Sequence, residues 1–257
     1  SWRLLLPEEQ RVFRTLSAFR SGFVLRAAQV VADASSSLLS SLLDKSLISC
    51  QREASGNVRY GMHELLRQYA EEKLGDAGEL EAVHSRHLEY FTQLAEEAEP
   101  QLRTAAQGQW LHQLEREHDN LLAALDRALT QHWVEAAARL AGALSRFWFI
   151  RAHVHKGLEY LELICASAPP VVADVPSGAF AKAYNSAGWL TFLQGKYPQA
   201  FQKFELGLRL AQSTGNAGAA ADALRGLALQ ALNQHDRSLA QSLAQQSLAV
   251  AREAGNL

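Results

Sequence analysis

The feature that most restricts the fold is an internal repeat in the last third of the chain. Large apolar and small residues recur there at an interval of about 40 residues. A fixed period of this length predicts an α-solenoid, in which each helical hairpin buries its apolar face against the next. The first copy contains Tyr184, Ala187, Gly188, Ala200, Phe204 and Gly207, and the second contains Leu224, Leu227, Ala228, Ala240, Ala244 and Ser247.

The spacing within the first copy is that of a tetratricopeptide repeat, whose usual period is about 34 residues. The longer interval predicts slightly longer helices. Small residues are needed where two helices cross closely, so we expect Gly188 to contact Ala200 across one hairpin. A divergent earlier copy is predicted at 141–164, and Gly215-Asn216 returns as Gly255-Asn256. The predicted repeat-packing positions are Tyr184, Gly188, Ala200, Phe204, Gly207, Leu224, Ala228 and Ala240.

Positions 1–76 follow a different pattern, which predicts three helices, a β-hairpin and a further helix. This is the element order of a winged helix. The predicted elements are a helix beginning at Pro7, a helix over 24–32, a third helix capped by Ser35 or Ser36, strands at Leu47–Cys50 and Val58–Tyr60 around a polar turn at 53–57, and a helix from His63 to Gly75.

Between the two regions, residues 77–172 predict antiparallel helical hairpins. Pro100 is expected to end the first helix, and a second is expected to run from Trp110 to Leu129. A Pro- and Gly-containing linker near 169–178 leads to the repeats. We therefore predict a mainly α fold, with a winged-helix domain at 1–76, helical hairpins at 77–172 and a tetratricopeptide-like α-solenoid at 173–257.

A winged helix raises the possibility of DNA binding, in which the third helix would enter the major groove and read bases with Arg, Lys, Asn or Gln. Residues 36–46 instead supply serines, leucines, Asp44 and a single Lys45. Positions 1–76 contain ten Lys or Arg and nine Asp or Glu, so they have no large positive excess to attract phosphates. We expect no direct DNA binding by this chain.

Two stretches carry a family resemblance, "LLDKSLI" at 42–48 and "MHELLRQYA" at 62–70. Together with Leu6–Gln10 and Leu16–Phe19 they resemble the winged-helix part of the STAND/NB-ARC signalling ATPases. More narrowly, the chain resembles large bacterial regulators of that class, in which tetratricopeptide-type repeats follow. "DNLLAAL" at 119–125 also matches a stretch of this family, and we interpret Asn120 as a helix-boundary hydrogen-bonding residue.

The resemblance implies a role for His63, because Met62-His63-Glu64 matches the "MHD" position of these switches. There the histidine contacts the phosphates of ADP and stabilises the inactive form. A helix N-terminus favours an anion, so the chemistry is reasonable; the alternative is that His63 only caps its helix. The chain has Glu64 where the family motif has Asp. The partner implied is an upstream nucleotide-binding domain, with ADP or ATP expected in the parent protein.

Composition restricts the other possibilities. The formal net charge of −2 argues against a general polyanion binder, and no apolar run is long enough to cross a bilayer. Only two cysteines occur, far apart, which suits the cytoplasm. The pairs His84/His87 and His153/His155 lack convincing further ligands, so we predict no metal site. We expect the chain to be an excised part of a longer protein, since it begins without Met.

The sequence therefore predicts a regulatory and protein-interaction role. The winged helix would sense the nucleotide state of an absent domain, and the repeats would bind a partner or inducer. The alternative is a DNA-binding winged-helix transcription factor with a helical sensor or dimerisation domain; the repeats could also act only as spacers. We expect no enzymatic activity and no cofactor in this chain, because the GxxxxGK[ST] phosphate loop is absent and no carboxylate pair has a catalytic partner.

Overall fold

The computed structural model describes residues 2–52, 56, 58–168 and 178–253. Helices dominate these residues, and the mainly α fold predicted from the sequence is confirmed. The linker at 169–177, most of the turn at 53–57 and the second Gly-Asn pair at 255–256 lie outside the described residues. The α-helices are α1 (Pro7–Thr15), α2 (Leu25–Ala32), α3 (Ser36–Asp44), α4 (Glu64–Asp76), α5 (Leu80–Gln101), α6 (Gln107–Arg116), α7 (His118–Thr130), α8 (Val134–Ile150), α9 (Val154–Ala166), α10 (Gly178–Leu193), α11 (Tyr197–Ser213), α12 (Ala217–Asn233) and α13 (Arg237–Glu253).

The chain divides into two compact units. The first contains Ser1–Leu94 and His112–Arg127, and the second contains Ala95–Leu111 and Ala128–Leu257. The first unit therefore extends past residue 76 into α5 and α7. One reason is the ion pair in which Arg14 donates two hydrogen bonds, of 2.9 and 2.7 Å, to the carboxylate of Glu79.

A three-stranded antiparallel sheet belongs to the first unit, with strand order β1-β3-β2. The strands are β1 (Phe23–Val24), β2 (Ser49–Arg52) and β3 (Val58–Gly61), and Tyr60 is paired with both Phe23 and Cys50. Strand β1 was not predicted, because two residues carry no periodicity. Strand β2 begins two residues later than expected, since Leu47 still bonds back to α3 and Ile48 is buried.

Local chemistry explains the helices of this unit. Pro7 occupies the first turn of α1, and Val12, Phe13 and Leu16 are buried. Helix α3 begins after Ser35, whose hydroxyl accepts a hydrogen bond of 3.2 Å from the backbone N–H of Leu38. An oxygen in this position satisfies one of the N–H groups that a helix start leaves without an intrahelical partner. The main elements follow in the order α1, β1, α2, α3, β2, β3 and α4, and apart from β1 this is the order predicted for a winged helix.

The helix predicted from Trp110 to Leu129 is two helices, α6 and α7, separated at Glu117. Glu117 is 7% exposed and is engaged within the first unit by the guanidinium of Arg59 on β3. Asn120 is fully buried; its side chain accepts from the N–H of Arg20 at 2.8 Å and donates to the carbonyl of Gly22 at 2.9 Å. Its hydrogen bonds therefore reach another segment of the unit and are not limited to a helix boundary.

The second unit contains the helical hairpins formed by α8 to α13. The turns before α8, α9, α11, α12 and α13 share one feature, a residue with positive φ directly before the next helix or its cap. Ala152 follows His132 by 20 residues, Gly215 follows Gly195 by 20 residues, and His235 follows Gly215 by 20 residues. One helix and its turn therefore occupy about 20 residues, and the hairpin repeat of about 40 residues follows from two of them. Of the described helices, none is long and apolar enough to cross a membrane.

Candidate functional site

His63 is the N-cap of α4, with extended backbone (φ −63°, ψ 141°). Its Nδ1 accepts a long hydrogen bond of 3.4 Å from the N–H of Leu65, and its side chain is exposed. Among the described residues, the ring nitrogen Nε2 and the backbone N–H groups of Glu64 and Leu66 have no hydrogen-bond partner. The start of α4 therefore offers three donors to an anion, in addition to the positive end of the helix dipole.

Glu64, which replaces the Asp of the family motif, is used within the helix. Its carboxylate accepts two hydrogen bonds from Arg67, of 2.8 and 2.6 Å, and one of 2.9 Å from Gln68. These bonds, that from Arg67 above all, hold the pKa of Glu64 at about 2. Arg67 is 4% exposed and also donates to Glu71. Glu64 therefore keeps a buried guanidinium paired.

Exposed apolar side chains follow His63 on the same helix. Leu65 is 70% exposed and Tyr69, one turn later, is 37% exposed. The ring of Trp2 meets Tyr69 edge-on at 6.1 Å between centroids. Leu65 and Tyr69 thus form a small exposed apolar surface beside the start of the helix. The first two turns of α4 thus combine available hydrogen-bond donors with exposed apolar side chains.

Helix α3, which would read DNA in a winged-helix transcription factor, carries its single cation at its C-terminal end. Lys45 is bonded to the carboxylate of Glu9, a side chain that is 2% exposed, and Ser41 donates to the same carboxylate. The hydrogen bond from Lys45 is the main reason that the pKa of Glu9 falls to about 2. The exposed positions of this helix are Ser36, Ser37, Ser40 and Asp44. Lys45 therefore pairs with a buried carboxylate of the fold.

The four histidines considered as metal ligands differ in their surroundings. His87 is fully buried in the first unit, with its ring centroid 4.6 Å from Phe91 and 5.4 Å from Phe19. Burial, followed by repulsion from Arg127, lowers the pKa of His87 well below its usual value and that of His84 to about 4. In the second unit, His153 lies 5.6 Å from the ring of Phe147, and His155 is exposed.

The repeat-packing residues surround Phe204 on α11, whose ring is fully buried. A Cβ placed on Gly188 would lie 2.7 Å from this ring, and one on Gly226 would lie 2.6 Å from it. The structure thus sets Phe204, rather than Ala200, closest to Gly188, because the bulky ring occupies the space left by two glycines on successive hairpins. Gly226 was missed because residue 186, its equivalent in the first copy, is Ser.

The other predicted repeat-packing positions also lie inside the unit. Ala200, Leu224, Ala228 and Ala240 are buried. Gly207 faces Asn185, and Tyr184 donates to the carbonyl of Cys165 at 3.0 Å.

The same principle operates in the earlier hairpin. A Cβ on Gly157 of α9 would lie 2.4 Å from the ring of Trp148 on α8, which is fully buried. Glycine is therefore required where these two helices cross, as it is around Phe204. The divergent copy predicted at 141–164 corresponds to α8 and α9.

The chain is similar to several curated proteins, but no family model matches it. Three curated proteins, one of Mycobacterium bovis and two of Mycobacterium tuberculosis (strains CDC 1551 and H37Rv), are each 38% identical over 174 residues. Each is named "Putative HTH-type transcriptional regulator". The match covers 64% of this chain and 19% of each relative, so the chain spans about a fifth of the length of these proteins.

One solved structure is similar over most of the chain. It is a signal transduction ATPase with numerous domains (STAND) protein with a tetratricopeptide repeat sensor, from Pyrococcus horikoshii. The sequence identity is 15%, the TM-score is 0.36, and the match covers 99% of this chain and 46% of the other. A TM-score this low carries no weight for fold or function.

Proposed function

We propose that this chain is the regulatory and protein-binding part of a larger STAND-type signalling ATPase that acts as a transcription regulator. In this proposal the start of α4 senses the nucleotide held by an upstream domain, and the helical hairpins bind a protein or inducer. The chain itself would not catalyse a reaction. The similarity to bacterial HTH-type transcriptional regulators supports a regulatory role.

The nucleotide-sensing part of the proposal rests on the exposure of His63 and on its weak hydrogen bonding. Its side chain is exposed, its one hydrogen bond to a described residue is 3.4 Å long, and two backbone N–H groups beside it are also available. The exposed Leu65 and Tyr69 provide an apolar contact surface for a neighbouring domain on the same helix. A fold that needed His63 only as a cap would gain more from Ser, Asp or Asn at this position.

ADP would supply phosphate oxygens to accept hydrogen bonds in this site. His63 would donate from Nε2, and the N–H groups of Glu64 and Leu66 would add two neutral donors at the positive end of the helix dipole. A hydrogen bond to a charged group contributes about 1.5–3 kcal/mol. Because each 1.4 kcal/mol corresponds to one decade, loss of the imidazole should shift a closed-to-open equilibrium about ten- to a hundredfold.

The experiment separates sensing from capping by two substitutions. His63→Ala removes the imidazole and the cap, whereas His63→Asn removes the imidazole and keeps a favourable cap. In the full-length protein both variants should release ADP faster and raise basal signalling, while His63→Asn leaves the thermal stability of the present chain unchanged. The control is His155→Ala, which removes another exposed histidine near a helix start.

Normal ADP release in His63→Asn, combined with reduced stability in His63→Ala, would mean that His63 is a cap. The nucleotide-sensing proposal would then be wrong.

The second candidate function, DNA binding by residues 1–76, is favoured by the names of the mycobacterial relatives. The engagement of Lys45 by Glu9 and the serine surface of α3 oppose it.

A further inference from the structure

Within the second unit, the first helices of three successive hairpins form one continuous surface. Helix α10 lies beside α8, where Gly142 faces Lys182, and beside α12, where Nε1 of Trp189 donates to Asp222 at 2.9 Å. We call this surface the α8–α10–α12 face. Arg146, Trp189 and Leu229 occupy equivalent positions on the three helices. Each lies at the same distance in sequence before the positive-φ residue of the turn that follows its helix.

An acidic segment of the same unit already lies against this face. Arg139 on α8 donates hydrogen bonds of 3.0 and 2.9 Å to the carboxylate of Glu96, and Lys182 on α10 is paired with Glu99. Two carboxylates on one side of α5 therefore hold the last turns of this helix against the α8–α10–α12 face. This shows that the face accepts an acidic helix by charge complementarity.

Beyond that segment, cations on the face and beside it have no counterion among the described residues. Arg146 donates from Nε to the carbonyl of Leu102 at 3.1 Å, and Arg103 is exposed. Neither forms an ion pair with a described carboxylate. Partial burial, followed by repulsion from Arg103 and Arg225, lowers the pKa of Arg146. The positive charge here is thus concentrated and incompletely neutralised.

Aromatic and apolar groups lie among these cations. The guanidinium of Arg225 lies 4.7 Å from the ring centroid of Trp189 and is also paired with Asp222; its side chain is 53% exposed. Leu193 follows Trp189 by one helical turn and is 47% exposed, and Leu232 follows Arg225 by two turns and is 52% exposed. A surface that combines Arg, Trp and exposed Leu has the composition of a protein-binding site.

We propose that the α8–α10–α12 face binds an acidic segment of a partner protein that also carries apolar side chains. Its carboxylates pair with Arg103, Arg146 and Arg225, and its apolar side chains pack against Trp189 and the two exposed leucines. This inference rests on the part of the proposed function in which the hairpins bind a protein. It is independent of nucleotide sensing by His63.

The probe is a short fluorescent peptide built from Glu, Leu and Phe, with a matched peptide in which every Glu is Gln. Fluorescence anisotropy with the whole chain should show binding of the acidic peptide only, weakening as salt is added. Arg146→Gln combined with Arg225→Gln should weaken binding about five- to thirtyfold, because two charge pairs are lost. Arg209→Gln combined with Arg237→Gln removes two exposed cations from α11 and α13 and should change nothing.

Since Arg146 is half-buried, a second variant combines Arg103→Ala with Arg225→Gln, both at exposed positions. It should also weaken the peptide while leaving the circular dichroism melt unchanged. Equal binding of the Gln peptide, or an unaltered affinity in both face variants, would overturn the inference while leaving protein binding elsewhere on the hairpins possible. Preference for a duplex oligonucleotide over the peptide would also overturn it, and so would absence of peptide binding. None of these outcomes affects the result of the His63 experiment, which tests nucleotide sensing separately.

Discussion

The ring of Phe204 is confined between two glycines, and a single methyl group on either should measurably destabilise the second unit. A Cβ on Gly226 would lie 2.6 to 2.7 Å from three atoms of the ring. On the opposite side the ring lies so close to Gly188 that a Cβ there would be only 2.7 Å away, so the ring has little room to retreat. It is also fully buried and packed at 5.0 Å against Trp189, so it has no empty space to enter.

Two effects of opposite sign determine the size of the change in Gly226→Ala. Overpacking a close-packed core costs about 1–3 kcal/mol. Replacing glycine by alanine inside a helix stabilises by about 0.5–1 kcal/mol. The net expectation is a loss of about 0.5–2 kcal/mol, which corresponds to a decrease in melting temperature of roughly 2–6 °C for a chain of this size.

Circular dichroism melts of three variants test this expectation. Gly226→Ala should melt lower than the wild type, and Gly108→Ala should melt at the same temperature or slightly higher, because a Cβ at Gly108 of α6 meets no atom within 4 Å. In a Phe204→Leu background the penalty of Gly226→Ala should disappear. A melt of Gly226→Ala equal to that of Gly108→Ala, or a penalty unchanged by Phe204→Leu, would refute the role assigned to the ring.

Two further predictions concern the first unit. Burial keeps His84 and His87 neutral, with the pKa of His84 lowered to about 4, whereas an unfolded chain protonates histidine near pH 6.5. The unfolded chain therefore binds more protons as the pH falls from about 6.5 to 4, and the free energy of unfolding should decrease over that window. For His84 alone the loss should be about 1–2 kcal/mol after allowance for partial exposure. Urea titrations at several pH values measure it, and His84→Gln should flatten the dependence; a stability independent of pH would contradict the assignment. The second prediction is that the chain does not shift duplex DNA in a mobility assay at moderate salt, because Lys45 is engaged by Glu9. A sequence-specific shift would show that α3, or another surface of the first unit, reads DNA.

Elements with a strong local signal could be predicted from the sequence. The repeat interval, the helix after Pro7 and the cap at Ser35 depend on neighbouring residues, and the structure places each of these features where the pattern predicts it. The break between α6 and α7 could not be predicted in this way. It coincides with the ion pair between Glu117 and Arg59, which are 58 residues apart in the chain. No local periodicity records such a contact.

The site residues show the same difference between features set by local sequence and features set by distant contacts. The exposed N-cap position of His63 followed from the start of the helical pattern, whereas its role in nucleotide sensing stays a prediction. The space around Phe204 was predicted in its principle, a small residue at a helix crossing, but with the wrong partner. Ala200 and Phe204 lie one turn apart on α11, and spacing alone does not determine which of them a glycine on another helix will meet.

Net charge explains why composition did not indicate the α8–α10–α12 face. A formal charge of −2 averages over the whole chain, and many of its cations are neutralised in place: Arg14 by Glu79, for example. Arg103 and Arg146 have no such counterion among the described residues. Their charge is therefore locally larger than the average suggests. A near-neutral chain can hold a partner with acidic side chains when its own carboxylates are already committed elsewhere.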